Sequence, residues 1–154
     1  LDTARLRYLI GENLNINPKN VHAYVMGEHG DSEFVLWSNA YVGSVSIYDF
    51  LNQNELEQIS KQVKNAAYEI IDKKGATYYA IGMVLARITN AILNDENSIL
   101  TVSSYHKDYD IYIGMPSIVG RNGIRDQVKV NLNEEEKRLF DESANILKSE
   151  IEKI

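Results

Sequence analysis

Two short stretches carry residue types able to do acid–base chemistry: LDTAR at residues 1–5 and GEHGDS at residues 27–32. On a helix, Asp2 and Arg5 stand three residues apart and share a face. As a surface ion pair they would contribute at most about 0.5 kcal/mol. Set against a ligand, the two divide the work. The Asp2 carboxylate would accept a hydrogen bond from an imidazole, fixing its tautomer and favouring the charged ring. Arg5 would grip a carboxylate through two parallel hydrogen bonds, a geometry lysine lacks. Arg7 cannot join it, because two residues at about 100° each point it to nearly the opposite side of the helix. Pattern alone makes Arg7 a solvated charge.

His29 lies between Gly27 and Gly30, with Glu28 and Asp31 close by. Glycine lets the backbone take positive φ and approach a partner closely, and it adds little packing. Three readings follow: an idle turn histidine, a metal ligand with His22, Asp31 or Glu33 as partners, or a general acid–base. The absence of cysteine and the seven-residue gap from His22 to His29 count against the metal. An acid–base histidine needs an orienting carboxylate, and Asp2 serves only if the fold unites residues 2 and 29. Pattern leaves the idle and acid–base readings open. His106, in SYHKDYD, reads as a surface residue, and the ten tyrosines show no site pattern.

The elements that must position these residues are legible. Leu6, Leu9, Ile10 and Leu14 recur at helical spacing, so residues 1 to about 14 form an amphipathic helix. NINPKN is a turn, VHAYVMGE a short strand running into GEHGDS, and FVLWSNAYVGSVSI a strand or pair of strands broken at Gly43. Leu56, Ile59, Val63, Ala66, Ala67, Ile70 and Ile71 form one stripe, closed by Lys73, Lys74 and a Gly75 cap. Thr77 can cap the next helix, with its stripe of Ile81, Val84, Leu85, Ile88 and Ile92. SILTVSSY, DIYIGMPSIVG and IRDQVKV then alternate with period two, an antiparallel meander. Asn133 with Glu136 caps a last helix bearing Phe140, Ala144, Leu147, Ile151 and Ile154. The order is α+β, one domain over residues 1–154, with no GxGxxG fingerprint.

The formal charge of −6 argues against general nucleic-acid binding or an anionic membrane surface, leaving room for a local basic pocket. The chain has no cysteine, which fits a reducing compartment, and no apolar run of spanning length. It opens on Leu1 directly into a helix, which reads as a piece of a longer chain.

GEHGDS, with LDTARLR before it and KGATYYAIG after it, resembles the carboxy-terminal half of the L-lactate dehydrogenases, within the lactate/malate dehydrogenase family. The likeness runs the whole chain, and the ordered set is specific although no single motif is. It implies interconversion of pyruvate, NADH and a proton with L-lactate and NAD. His29 would then be the proton donor and acceptor, Asp2 the residue holding its ring, Arg5 the ligand of the pyruvate carboxylate, and Thr77 a wall at the substrate's small end. Arg7 and His22 match positions at which bacterial members bind fructose 1,6-bisphosphate between subunits, favouring an active homotetramer. The resemblance also implies a cytoplasmic enzyme. An N-terminal Rossmann domain outside this chain would hold NAD, a mobile loop there would choose the substrate, and a second arginine there would polarise the carbonyl. The chain alone is therefore expected to be inactive. Malate dehydrogenases and other 2-hydroxy-acid dehydrogenases are the alternatives, although KGAT looks more like the lactate branch. An anion-binding oligomerisation module is the alternative for the isolated domain.

Overall fold

A computed structural model describes residues 1–153. The first helix, α1 (Asp2–Leu14), buries Leu6 and Ile10 completely, the centre of its predicted stripe. Asn15 ends it in the left-handed region at φ 53°. NINPKN forms a single 3-10 turn, Pro18–Asn20, in which Asn17 accepts a hydrogen bond from Lys19 N. Beyond it the predicted strands are two-residue pieces: β1 (Val21–His22), β2 (Val25–Met26), β3 (Phe34–Val35), β4 (Tyr41–Val42) and β5 (Val45–Ser46). They form two small antiparallel sheets, β1–β4–β5 and β2–β3. Sheets this small need other elements to stabilise them.

Two apolar clusters supply that support. The first joins α1, Val21, Val25, Val35 and Ile47 to Leu56, Ile59 and Val63 on α2 (Gln53–Lys74). The second packs Met26, Phe34 and Leu36 against Ile111, Ile113 and Met115, with Phe140 and Ala144 closing it. Those residues belong to the predicted meander, here β6 (Ser98–His106), β7 (Ile111–Gly120) and β8 (Gly123–Gln127), and to α4 (Glu134–Ile151). His106 ends β6 and is half-buried, packed on Tyr109 and Phe140 rather than standing free on the surface. The β-turn chemistry of its neighbours concealed this. Ile154, last of the predicted α4 stripe, lies outside the described residues.

Helix α3 (Tyr78–Leu93) departs most from expectation. Its predicted stripe is not a core: Ile81 is 43% exposed and Leu85 60%, and only Ala91 is buried. The helix packs chiefly on β7, and Arg87 ties it to Glu96 and Ser98 at the start of β6. Thr77 is its N-cap, but the side chain makes no capping hydrogen bond. Asn52 and Asn133 do cap α2 and α4, each in a reciprocal box with the glutamate three residues on.

Glu136 works beyond its box. It is 4% exposed and accepts from Ser38 N at 2.9 Å, Ser38 Oγ at 2.5 Å and Asn133 N at 3.1 Å, tying α4 to the loop after β3. Glu136→Ala is expected to cost about 2–3 kcal/mol by stranding these donors. Urea denaturation measures it, and a variant as stable as the parent would show that water replaces the carboxylate.

Candidate active site

The first turn of α1 faces the turn after β2. Thr3 makes the junction: its hydroxyl accepts from Val25 N at 3.1 Å and bonds Thr101 Oγ1 at 3.0 Å, joining α1, β2 and β6. This closes the gap that the sequence left open between residues 2 and 29. Asp2 Oδ2 lies 2.9 Å from His29 Nδ1, and Asp2 Oδ1 accepts from Arg5 at 3.0 Å. One carboxylate thus holds both partners, each by a different oxygen. The side chains of Asp2 and Arg5 are 13% exposed, whereas that of His29 is 76% exposed. Occupation of Nδ1 by Asp2 leaves Nε2 as the nitrogen free to meet a ligand.

The second guanidinium nitrogen of Arg5, Nη2, is buried with no hydrogen-bond partner among the described residues. Burying a charged donor unpaired is costly, so a fixed guanidinium with a vacant edge suits an incoming carboxylate. A cavity of about 340 Å³ opens at His29, lined by Asp2, Thr3, His29 and Glu33 on one side and by Ile81 and Val84 of α3 on the other, with Arg5 behind Asp2 rather than on its wall. The wall is thus polar where His29 stands and apolar opposite.

The glycines do different jobs from one another. Gly27 takes φ 98° and exchanges two hydrogen bonds with Gly114 on β7, each 3.0 Å. A Cβ on Gly114 would stand 2.6 Å from the Gly27 carbonyl oxygen, so the bridge forms only between bare backbones. Gly30 has no positive φ; it instead leaves room for the Glu28 carboxylate, 2.6 Å from where its Cβ would be. Glu28 N donates to Ser143 Oγ of α4 at 2.6 Å, and Ser32 Oγ donates to Glu28 at 2.5 Å. The turn is therefore held from β7 and α4, independently of the imidazole.

Glu33 was visible in the sequence only as a possible metal partner. It is 6% exposed, with Oε2 4.0 Å from His29 Nδ1, and burial followed by the Asp2 charge pushes its carboxyl up to about 7. The donor atoms of Asp2, His29 and Glu33 lie within 4.8 Å of one another. Asp31 turns the other way: its carboxylate accepts from Tyr68 and its carbonyl from Lys64, both on α2. His22 lies in β1, opposite Tyr41.

Arg7 does point away from Arg5, as the helix geometry requires, but it is not a free charge. Its Nε donates to Ala23 O at 3.1 Å and its guanidinium stacks on Tyr24 at 4.8 Å, beside His22 in the chain. Thr77 is half-buried at the start of α3, and the α3 residues that reach the His29 cavity are Ile81 and Val84, one to two turns further on. Ser143 and Thr3 were missed altogether. Ser143 had no local signal, lying 115 residues from its partner.

Comparison with known proteins agrees with this geometry. The family model for the lactate/malate dehydrogenase alpha/beta C-terminal domain matches residues 1–154. L-lactate dehydrogenase 1 of Peribacillus psychrosaccharolyticus is 51% identical, covering 96% of this chain and 50% of its own length. L-lactate dehydrogenase of Geobacillus stearothermophilus is 51% identical over 97% of the chain and 50% of its own length. The chain spans about half the length of the curated relatives it matches. Among solved structures, a lactate dehydrogenase from a Medee basin deep-sea metagenome library superposes with TM-score 0.95 at 48% identity, covering 98% of this chain and 52% of the other. Malate dehydrogenase from Salinibacter ruber superposes with TM-score 0.92 at 33% identity, covering 98% and 51%.

Proposed function

Because the chain belongs to the lactate/malate dehydrogenase family, as its alpha/beta C-terminal domain, we propose that it is the substrate-binding half of an NAD-dependent L-lactate dehydrogenase. The observation that carries this reading is the single Asp2 carboxylate shared by Arg5 and His29, with Arg5 Nη2 left vacant. Arg5 takes the carboxylate of pyruvate on its free edge. His29 stands over the 2-oxo group and gives its proton to the oxygen as negative charge develops there, recovering it in the reverse direction. Asp2 keeps the ring in place and favours its charged form. When bound, NADH supplies the hydride.

The described residues include no glycine-rich loop opening a helix after a strand, so the chain offers NAD no phosphate cradle. It offers His29 and the apolar Ile81–Val84 wall, which suit the reacting end of a cofactor held mainly by a Rossmann domain outside this chain. That same domain would cover the exposed apolar side of α3, and without it the chain is inactive. Thr77 serves at the edge of the pocket through the helix it begins. A metal at Asp2, His29 and Glu33 would displace the Arg5 and His29 contacts and sit beside a guanidinium, so we read the cluster as a proton-holding group, with no metal. Arg7 reaches the backbone of Ala23, the residue after His22, and we assign Arg7 and His22 to fructose 1,6-bisphosphate binding in a homotetramer. No helix among the described residues is long and apolar enough to cross a membrane. With no cysteine and a net negative charge, we place the enzyme in the cytoplasm, without nucleic-acid partners.

NADH oxidation by the full-length protein tests this. Pyruvate turnover that rises with fructose 1,6-bisphosphate is the expected result. Preference for oxaloacetate, indifferent to the bisphosphate, would make the protein a malate dehydrogenase and return Arg7 to a structural role. The greater identity to lactate dehydrogenases, 48–51% against 33%, favours the first outcome.

A further inference from the structure

We propose that Glu33 is a positioning residue for the Asp2–His29 pair: its carboxyl engages Asp2 from the buried side, and its charge sets the pH at which His29 gives up its proton. The inference rests on His29 being the acid–base group. Glu33 has the geometry for it, being nearly enclosed, with a carboxylate oxygen within 4.8 Å of Asp2 and 4.0 Å from His29 Nδ1. It also lines two cavities at once. One holds His29; the other, of about 490 Å³ with Trp37, Tyr48 and Lys64 on its walls, lies behind it. Its proton can therefore reach solvent from the side away from the substrate.

The charged groups around Glu33 come from every element packed on it. Asp2 and Arg5 approach from α1, His29 from its own turn and Lys64 from α2. Glu57, Glu135 and Glu136 line the rear cavity with it. Two carboxylates this close do not both ionise freely, and burial followed by Asp2 lifts Glu33 to about 7, against the opposing pull of Lys64 and Arg5. Protonated, Glu33 donates to Asp2 and leaves the imidazole facing one negative charge. Ionised, it adds a second within 4.0 Å of Nδ1, which holds the imidazolium.

Folding follows the same titration. Glu33 binds its proton more tightly folded, at about 7, than at the ordinary 4.5. The stability it contributes is complete below pH 4.5 and is lost as pH rises through 7. A Glu33→Gln variant keeps a donor for Asp2 and removes this loss, so it gains on the parent above neutral pH and not in acid.

The test uses the full-length protein as parent, Glu33→Gln and Glu33→Asp, treated with diethyl pyrocarbonate across a range of pH. Mass spectrometry reads His29 against His22 and His106, the other two histidines of this chain. In Glu33→Gln, His29 should reach half-reactivity about one pH unit lower, since a removed neighbouring charge shifts titration by about that much. His22 and His106 should not move, and Glu33→Asp should stay near the parent. An unmoved His29, or equal movement of all three histidines, overturns the proposal. Pyruvate reduction is assayed in parallel: a protein that shows the His29 shift but never reduces pyruvate sinks the lactate reading and leaves the link from Glu33 to His29 standing.

Discussion

Replacing His29 with asparagine in the full-length protein is expected to lower kcat for pyruvate reduction by about 10²–10⁴-fold, the usual contribution of a positioned general acid. NADH affinity should be unchanged. The fold gives no reason for the variant to collapse. The turn is pinned by the Gly27–Gly114 bridge and by Glu28 N on Ser143, neither of which touches the ring. The side chain is 76% exposed and supports no core contact. An asparagine amide still reaches toward Asp2 but has no proton to give near neutral pH, so the loss belongs to the chemical step. Stopped-flow kinetics separate hydride transfer from binding. A variant that keeps its turnover, or that loses NADH affinity as steeply as kcat, would falsify the division of labour between His29 and the part of the protein outside this chain.

Phe140→Ala is expected to cost about 3–5 kcal/mol, as truncation of a buried aromatic does. Phe140 is 2% exposed and is met by Phe34 at 6.5 Å, Tyr109 at 5.1 Å and His106 at 5.6 Å, the first two edge-on. A loss of that size is a large share of the roughly 5–15 kcal/mol that holds a domain folded. The loss should also reach the site, because Ser143 stands one helical turn from Phe140 and holds Glu28. Denaturant unfolding measures the first effect and pyruvate turnover the second. A milder Phe140→Leu variant should keep most of both, whereas a loss below about 1 kcal/mol in Phe140→Ala would mean that the cluster closes over the gap.

The elements were legible where periodicity and capping agree. Helices α1, α2 and α4, the meander and its antiparallel order all follow from apolar spacing and from Asn–Glu boxes. Asp2, Arg5 and His29 were legible as residue types only. That residues 2 and 29 meet depends on Thr3 joining α1 to β2 and β6, which is a tertiary fact with no local sign. Glu33 had one weak sign, its position four residues after His29. Helix α3 shows the opposite limit. Its stripe was read correctly as a face, yet periodicity says nothing about what lies against that face, and β7 covers only part of it. His106 was misplaced because its polar neighbours hid its packing against two rings, Tyr109 close by in the chain and Phe140 on α4.

The bridge between Gly27 and Gly114 has a consequence for transplantation. A side chain at Gly114 would press on the Gly27 carbonyl oxygen, and one at Gly27 would press on Ser143 Oγ at a positive φ, so each position is closed for its own reason. The turn thus depends on two bare positions, although the chain places them in different thirds of the molecule. An engineer who moves GEHGDS into another protein moves half of a device. The histidine will stand upright only where the host supplies a strand that is bare at the point of contact.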